Sequence, residues 1–435
     1  MTTAARPDAI LPDGPSGQRL VKALTYTLNP DRTLHRYQAR YGSAFSIDAF
    51  GFGRMVVLTD PAEVKQILQA TQDVIDLADI GVDRALGHGS LFATYGDAHR
   101  RDRKLLTPPL HGNRLRAYEK MIERAAECEM ATWPEGKPFP ALPSMMRITL
   151  DVILDAVFGA EGAELEELRR MLPPMVQRGT LLAFLPKFQR LLGSHGPWAR
   201  FQRERARFDV LMARLIDQAT PVLDTRDDVL AMLLQARYDD GSPMSHAQIS
   251  DQMLTLMAAG HETTATTLAW AVERIRRQEG LSDRLAAEVD EGGSALRDST
   301  LLEVQRVRPV VNLVNREVRA ENLEIGRWRL PRGTVVGIPV GLLHDDSNLF
   351  GDPSTFNPDR FVGAKPNTYQ WIPFGGGVRR CIGANFATLE MNVVLRTMFR
   401  DFIVEPTTDG PERRVTRGIA AAPGKGGMMI VRRRN

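Results

Sequence analysis

The chain has 435 residues, 43% of them hydrophobic and 25% charged, with 36 Gly and 27 Pro. That composition excludes a disordered or fibrous chain, and the length fits either about three domains of ~150 residues or one large fold. A formal net charge of +3 carries none of the cationic excess of a nucleic-acid binder, so neither DNA nor RNA is an expected partner.

Two cysteines, Cys128 and Cys381, are too few for a disulfide framework or a Cys-based zinc site, and a reducing, cytoplasmic setting is expected. Met1 to Gly17 holds prolines and acidic residues where a leader would have a basic and then an apolar segment. No stretch approaches 18 apolar residues, so no membrane anchor is expected.

In chain order, Ala44–Ile47 and Met55–Leu58 read as strands around a Gly-Phe-Gly turn. The helix after them has a clear start: Asp60 as cap, Pro61 at the first helical position and Glu63 completing a capping box. Helical spacing then dominates over Arg114–Thr132, Ser144–Phe158, Ala163–Met171, Trp198–Leu215 and Arg226–Ala236. Ser245 to Gln248 forms a second capping box, opening a run without proline of about 33 residues, roughly 50 Å of helix, with Gly280 placed to end it. At its centre Gly260-His261-Glu262-Thr263-Thr264 interrupts apolar flanks. The cluster reads either as a capped or kinked stretch of surface helix or, because buried polar groups cost energy unless paired or used, as Glu and Thr placed to handle protons or water.

Leu323–Ile325 and Val335–Ile338 read as short β pieces with a Pro331-Arg332-Gly333 turn between them, and Leu349–Pro373 as a long structured loop of the kind that carries function. Phe374–Gly383 is Gly-dense, Ala384–Arg400 is helical, and Arg432-Arg433-Arg434 reads as a surface tail. With no repeat and no linker, the expectation is one mainly α domain over 1–435 with a small β region (α+β) and a short flexible N-terminus at about 1–17.

Three motifs fail on inspection. His261-Glu262 begins like a zincin helix, but Ala265 stands where the second His is needed. Gly51-Phe52-Gly53 begins a dinucleotide fingerprint, yet Val56 occupies the third Gly position and a strand follows. Gly375-Gly376-Gly377 lacks the Lys-Ser/Thr pair of a phosphate loop.

What remains is Phe374-Gly375-Gly376-Gly377-Val378-Arg379-Arg380-Cys381-Ile382-Gly383, a single Cys just ahead of a helix. Backbone N–H groups and the helix dipole stabilise a thiolate there, and glycines permit close backbone approach to the sulfur and a flat ligand; this suits a metal thiolate. Cys128, within an amphipathic helix, reads as packing.

These residues resemble the cytochromes P450, the haem-thiolate monooxygenases. Phe374, Gly377, Arg379, Cys381 and Gly383 fit the family's Phe-x-x-Gly-x-Arg-x-Cys-x-Gly haem loop, Glu303 to Arg306 its Glu-x-x-Arg helix with Pro309 following, and Phe356 to Phe361 its meander. The likeness implies the P450 fold, with a long central helix over the haem and the Cys loop preceding a C-terminal helix. It also implies heme b (iron protoporphyrin IX), Cys381 as axial ligand, and Arg360 joining Glu303 and Arg306 in a buried charged triad. Ala259 to Thr264 resembles the oxygen-activation motif: Glu262 and Thr263 are the implied acid–alcohol pair that relays protons for O–O cleavage, and Gly260 leaves room for dioxygen. Tyr95 to Lys104 resembles the propionate-binding helix, where His99 and Arg103 share a face; Arg316 and Arg379 are further propionate candidates.

The implied reaction inserts one oxygen atom of O2 into an apolar substrate, with electrons from ferredoxin and ferredoxin reductase docking on Arg100, Arg101, Lys104 and Arg380. Pocket walls are implied from the segment before His99, Ala258, Thr263, Val310–Val314 and Ala420–Pro423, with Leu181–Pro186 in an apolar lid. Such a lining favours a fatty acid, terpenoid or steroid. Asn312 and Asn315 either orient a substrate hydroxyl or satisfy backbone. A peroxide-driven peroxygenase and a non-catalytic haem-thiolate sensor are the alternatives.

Overall fold

The computed structural model describes residues 9–49, 52–79, 81–112, 114–159, 162–184 and 193–434. Ala44–Ala49 and Gly53–Leu58 pair antiparallel, as their alternation predicts. Phe45, Ile47, Met55 and Val57 enter one apolar cluster, while Ala44, Val56 and Leu58 enter another, so both faces of the sheet are covered. Val335–Pro339 adds parallel to Gly53–Leu58, and Leu313–Val318 and then Ile75–Asp76 follow antiparallel, which completes five strands.

Of the segment expected to be flexible, residues 9–17 are pinned. Ile10 pairs with Arg329 through both backbone bonds, and Ser46 N–H donates to the Asp13 carbonyl at 2.8 Å.

Helices form the rest of the core. The long central helix, His246–Ile275, carries the full capping box between Ser245 and Gln248 and packs most extensively on the helix Ala141–Phe158. It stops short of Gly280, which adopts φ 68° and instead starts the next helix at Leu281. Asp60 caps Pro61–Gln69 by accepting from Ala62 and Glu63 N–H, but the Glu63 side chain turns to Trp328 in place of closing the box. Gly162–Phe184 runs past the expected end at Met171, straight through Pro173 and Pro174. Leu172 and Met175, both fully buried, bracket those prolines, so packing offsets the lost backbone bonds.

Several strands escaped the sequence pattern, two of them in the middle of the chain's β region. Leu313–Val318 is broken by Asn315-Arg316-Glu317, and Trp328–Pro331 pairs with Asn322–Ile325 around Gly326. The basic C-terminus is also no free tail: Val431–Arg433 pairs with Phe402–Val404, and Arg432, Arg433 and Arg434 meet Glu405, Glu135 and Asp290. Cys128, read as packing, is exposed. Among the described residues, no helix is long and apolar enough to cross a membrane.

Candidate active site

The Cys loop is closed by Cys381 N–H donating to the Phe374 carbonyl at 2.9 Å, and the helix Ala384–Asp401 follows at once. Its glycines serve close approach to another part of the chain. A Cβ on Gly377, which holds φ +64°, would lie 1.8 Å from the backbone oxygen of Leu68, and one on Gly376 would lie 2.8 Å from the Leu68 side chain. Because the obstacle at Gly377 is backbone, Gly377→Ala is expected to displace the loop from the Pro61–Gln69 helix. The check is haem content per folded protein, which should fall severalfold while far-UV circular dichroism stays near wild type.

The Cys381 side chain is solvent-accessible, and its neighbours Gly377, Val378 and Arg380 are exposed with it. Burial pushes its thiol up; the Gly383 N–H, Arg380 and Arg103 oppose that and favour the thiolate.

Around the loop the structure gathers the four expected propionate candidates into one electrostatic cluster. His99 and Arg103 lie on the helix Gly96–Leu106; burial, then Arg379 and Arg103, take His99 down to about 3, so its ring is neutral. Arg103 donates to the Arg380 carbonyl at 2.7 Å. Arg316, on its strand, is buried and donates to the Asn315 and Gly376 carbonyls; burial and the neighbouring Arg379 lower it to about 10. Arg379 donates from Nε to Asp76 at 2.6 Å, and from its two Nη atoms to the Leu91 and Thr94 carbonyls at 3.0 and 2.7 Å. Asp76 is the cluster member that sequence reasoning missed. It lies 303 positions from Arg379 in a stretch without a motif. Among the described residues no other carboxylate pairs with these three guanidiniums, which leaves an excess of two positive charges.

The central helix is buried along most of its length but opens at 258–260, 262 and 263. Thr263 Oγ1 donates to the Ala259 carbonyl at 2.7 Å. Glu262 lies 3.7 Å from Arg417 of the hairpin strand Arg414–Arg417; burial raises its carboxyl and Arg417 pulls against that rise. His261 and Gly260 point elsewhere. The Thr149 hydroxyl donates to the His261 carbonyl at 3.0 Å and meets its Nδ1 at 3.0 Å, and a Cβ on Gly260 would lie 3.0 Å from Ile153. The missing side chain at 260 therefore admits Ile153 of the Ala141–Phe158 helix.

The charged triad is present. Arg306 donates twice to Glu303 at 2.7 and 2.8 Å with both side chains fully buried, and Arg360 Nε lies 3.4 Å from Glu303. Asn312 and Asn315 satisfy backbone: they accept from Gly341 and Ala78 N–H at 2.8 and 3.3 Å. Leu182 is buried, while Leu185 and Pro186 of the expected lid lie outside the described residues. In the expected docking face Arg100 pairs with Asp97, Lys104 with Asp239, and Arg101 covers the Tyr238 ring. Glu390, on the helix after the Cys loop, is fully buried with Oε1 unpartnered, and burial raises it well above the carboxylate range.

A family model described as Cytochrome P450 matches residues 12–430. Cytochrome P450 138 of Mycobacterium tuberculosis is 45% identical over an alignment of 437 residues, covering 100% of this chain and 99% of that protein. Cytochrome P450 135B1 of the same organism is 38% identical over 434, covering 97% and 91%. Among solved structures, a retinoic acid bound cyanobacterial CYP120A1 matches with a TM-score of 0.84 over 98% of this chain and 100% of that one, at 22% identity, a likeness of fold. The chain belongs to the cytochrome P450 family. It is a haem-thiolate monooxygenase, an oxidoreductase whose cofactor is haem. The residues present fit that group: an accessible thiol lies beside a cluster whose two surplus positive charges match the two propionates of a haem.

Proposed function

We propose that Cys381 is the axial thiolate, that His99, Arg103, Arg316 and Arg379 receive the propionates, with Phe374, Gly377 and Gly383 shaping the loop around the cofactor, and that Glu262 and Thr263 deliver protons. The substrate is a lipophilic small molecule of fatty-acid, terpenoid or steroid size, electrons come from a ferredoxin and its reductase, and the enzyme works in the cytoplasm. The observation that supports this best is the surplus of positive charge around the Cys381 loop. When bound, haem supplies dioxygen binding and the reductive cleavage of its O–O bond.

The chain's own part is proton handling. Thr263 commits its hydroxyl hydrogen to the Ala259 carbonyl, which leaves its lone pairs free to accept from a water or a protonated oxygen. Glu262 and Thr263 are consecutive on a helix and diverge in direction, so a proton passing between them needs an intervening water. Arg417 holds the Glu262 carboxylate at the hairpin and must release it for the carboxylate to turn toward Thr263. The apolar strand Ala420–Pro423 and Val310 supply lipophilic wall, joined by Ala421 N–H donating to the Val310 carbonyl at 2.9 Å.

Thr263→Ala is expected to keep reductant consumption within severalfold of wild type while oxygenated product falls on the order of 10²-fold, the difference leaving as hydrogen peroxide. Glu262→Gln is expected to slow both together. Product yield per reductant consumed is the readout; Thr263→Ala with undiminished yield would remove the alcohol from the relay.

A further inference from the structure

We propose that Asp76 is a built-in counter-charge of the haem-propionate cradle: it aims Arg379 and, through its negative charge, holds the reduction potential of the cofactor down. This rests on the haem reading given above and adds to it a residue that no sequence motif marks.

The geometry carries the aim. Asp76 is 1% exposed and collects donors from four directions: Arg379 Nε at 2.6 Å, Leu77 N–H at 2.7 Å, Gln72 Nε2 at 3.0 Å and Gly96 N–H at 3.4 Å. Arg379 is held with equal completeness, since three of its five N–H groups go to Asp76, Leu91 and Thr94. The guanidinium also lies over the Tyr95 ring at 5.5 Å. Its two remaining hydrogens have fixed directions and are free for one further acceptor. Without Asp76 the guanidinium would lose the one carboxylate that pairs with it among the described residues, and with it one of its three anchors.

The charge follows from the count. Arg103, Arg316, Arg379 and the adjoining Arg380 bring four positive charges against the Asp76 carboxylate and the Cys381 thiolate, leaving two that two propionates offset. Removing Asp76 makes the surplus three. Reduction of ferric to ferrous haem adds one electron, and a more positive surrounding of low dielectric favours it, so the potential rises. Gln72 offers an asparagine at 76 an acceptor, at the expense of its own contact with His99 Nδ1 at 3.2 Å. It is 3% exposed and its Oε1 has no partner, so a flipped amide can accept from an asparagine at 76.

The test is a spectroelectrochemical titration of the holoprotein as wild type, Asp76→Asn and Gln72→Glu. Asp76→Asn is expected to shift the potential positive, on the order of tenfold in the ferric/ferrous ratio at fixed potential, or about 59 mV for one electron. Gln72→Glu places a second buried carboxyl beside Asp76; the pair shares one proton near neutral pH and gains the extra charge as that proton leaves, so its potential is expected to fall below wild type as pH is raised, and should Asp76→Asn not fold, that variant carries the test. Coincident potentials in the folded variants, or shifts of the wrong sign, overturn the proposal, and a purely structural Asp76 would lower the denaturation midpoint without moving the potential. The reduced carbon monoxide spectrum of the wild type separates the two readings. A missing thiolate band there removes the haem reading, whereas intact bands with unmoved potentials remove Asp76 alone.

Discussion

Replacing Cys381 by Ser is expected to abolish the strongly red-shifted Soret band of the reduced, carbon monoxide-bound protein and to bring monooxygenation to background. The physical reason is local. A serine hydroxyl at 381 has no comparable thiolate to offer, so the Gly383 N–H, Arg103 and Arg380 would face a neutral oxygen in place of an anionic sulfur. The side chain is nearly isosteric, and the backbone bond from 381 to Phe374 does not involve it, so the fold should survive. An unfolding free energy within about 1 kcal/mol of wild type, together with loss of the band, is the expected pair of results. A variant that retained the red-shifted band would exclude Cys381 as the ligand.

The second large effect is expected on stability. In Arg306→Ala, Glu303 stays fully buried with only Arg360 at 3.4 Å and the Asn357 N–H at 2.9 Å to answer it. Three carbonyls, of His344, Pro353 and Thr355, lose their donor as well. Breaking one side of a buried ion pair costs about 3–5 kcal/mol, against total stabilities of about 5–15 kcal/mol. Expression should therefore yield little folded holoprotein, and chemical denaturation of what survives should show that loss. Arg360→Lys, whose partner distance is longer and whose side chain is partly exposed, is expected to cost much less. Equal losses in the two variants would show that the three residues do not act as a core pair with an outer member.

What the sequence made legible was local. The Cys loop, the Ser245 capping box and the Glu303–Arg306 pair each lie within ten residues, so spacing alone encodes their geometry. Asp76, Thr149 and Arg417 were not legible, because each acts on a residue more than 100 positions away through a fold that must exist first. The same reason explains Gly260 and Gly377. Sequence marks where a side chain is missing, but only packing shows that Ile153 and the Leu68 carbonyl fill the space. The strand Leu313–Val318 hid behind its own polar residues, which face backbone and charge partners in the assembled sheet.

The Glu390 carboxyl has a consequence for the behaviour of the whole molecule. Its acidity is weakened by burial in the folded chain, so the native state keeps a proton that the unfolded chain gives up in the ordinary carboxylate range. Linkage then fixes the sign: the native state binds more protons, and its stability from this group is whole below the unfolded value and declines as pH rises toward the raised one. Folding of the helix behind the Cys loop is, in this sense, proton uptake.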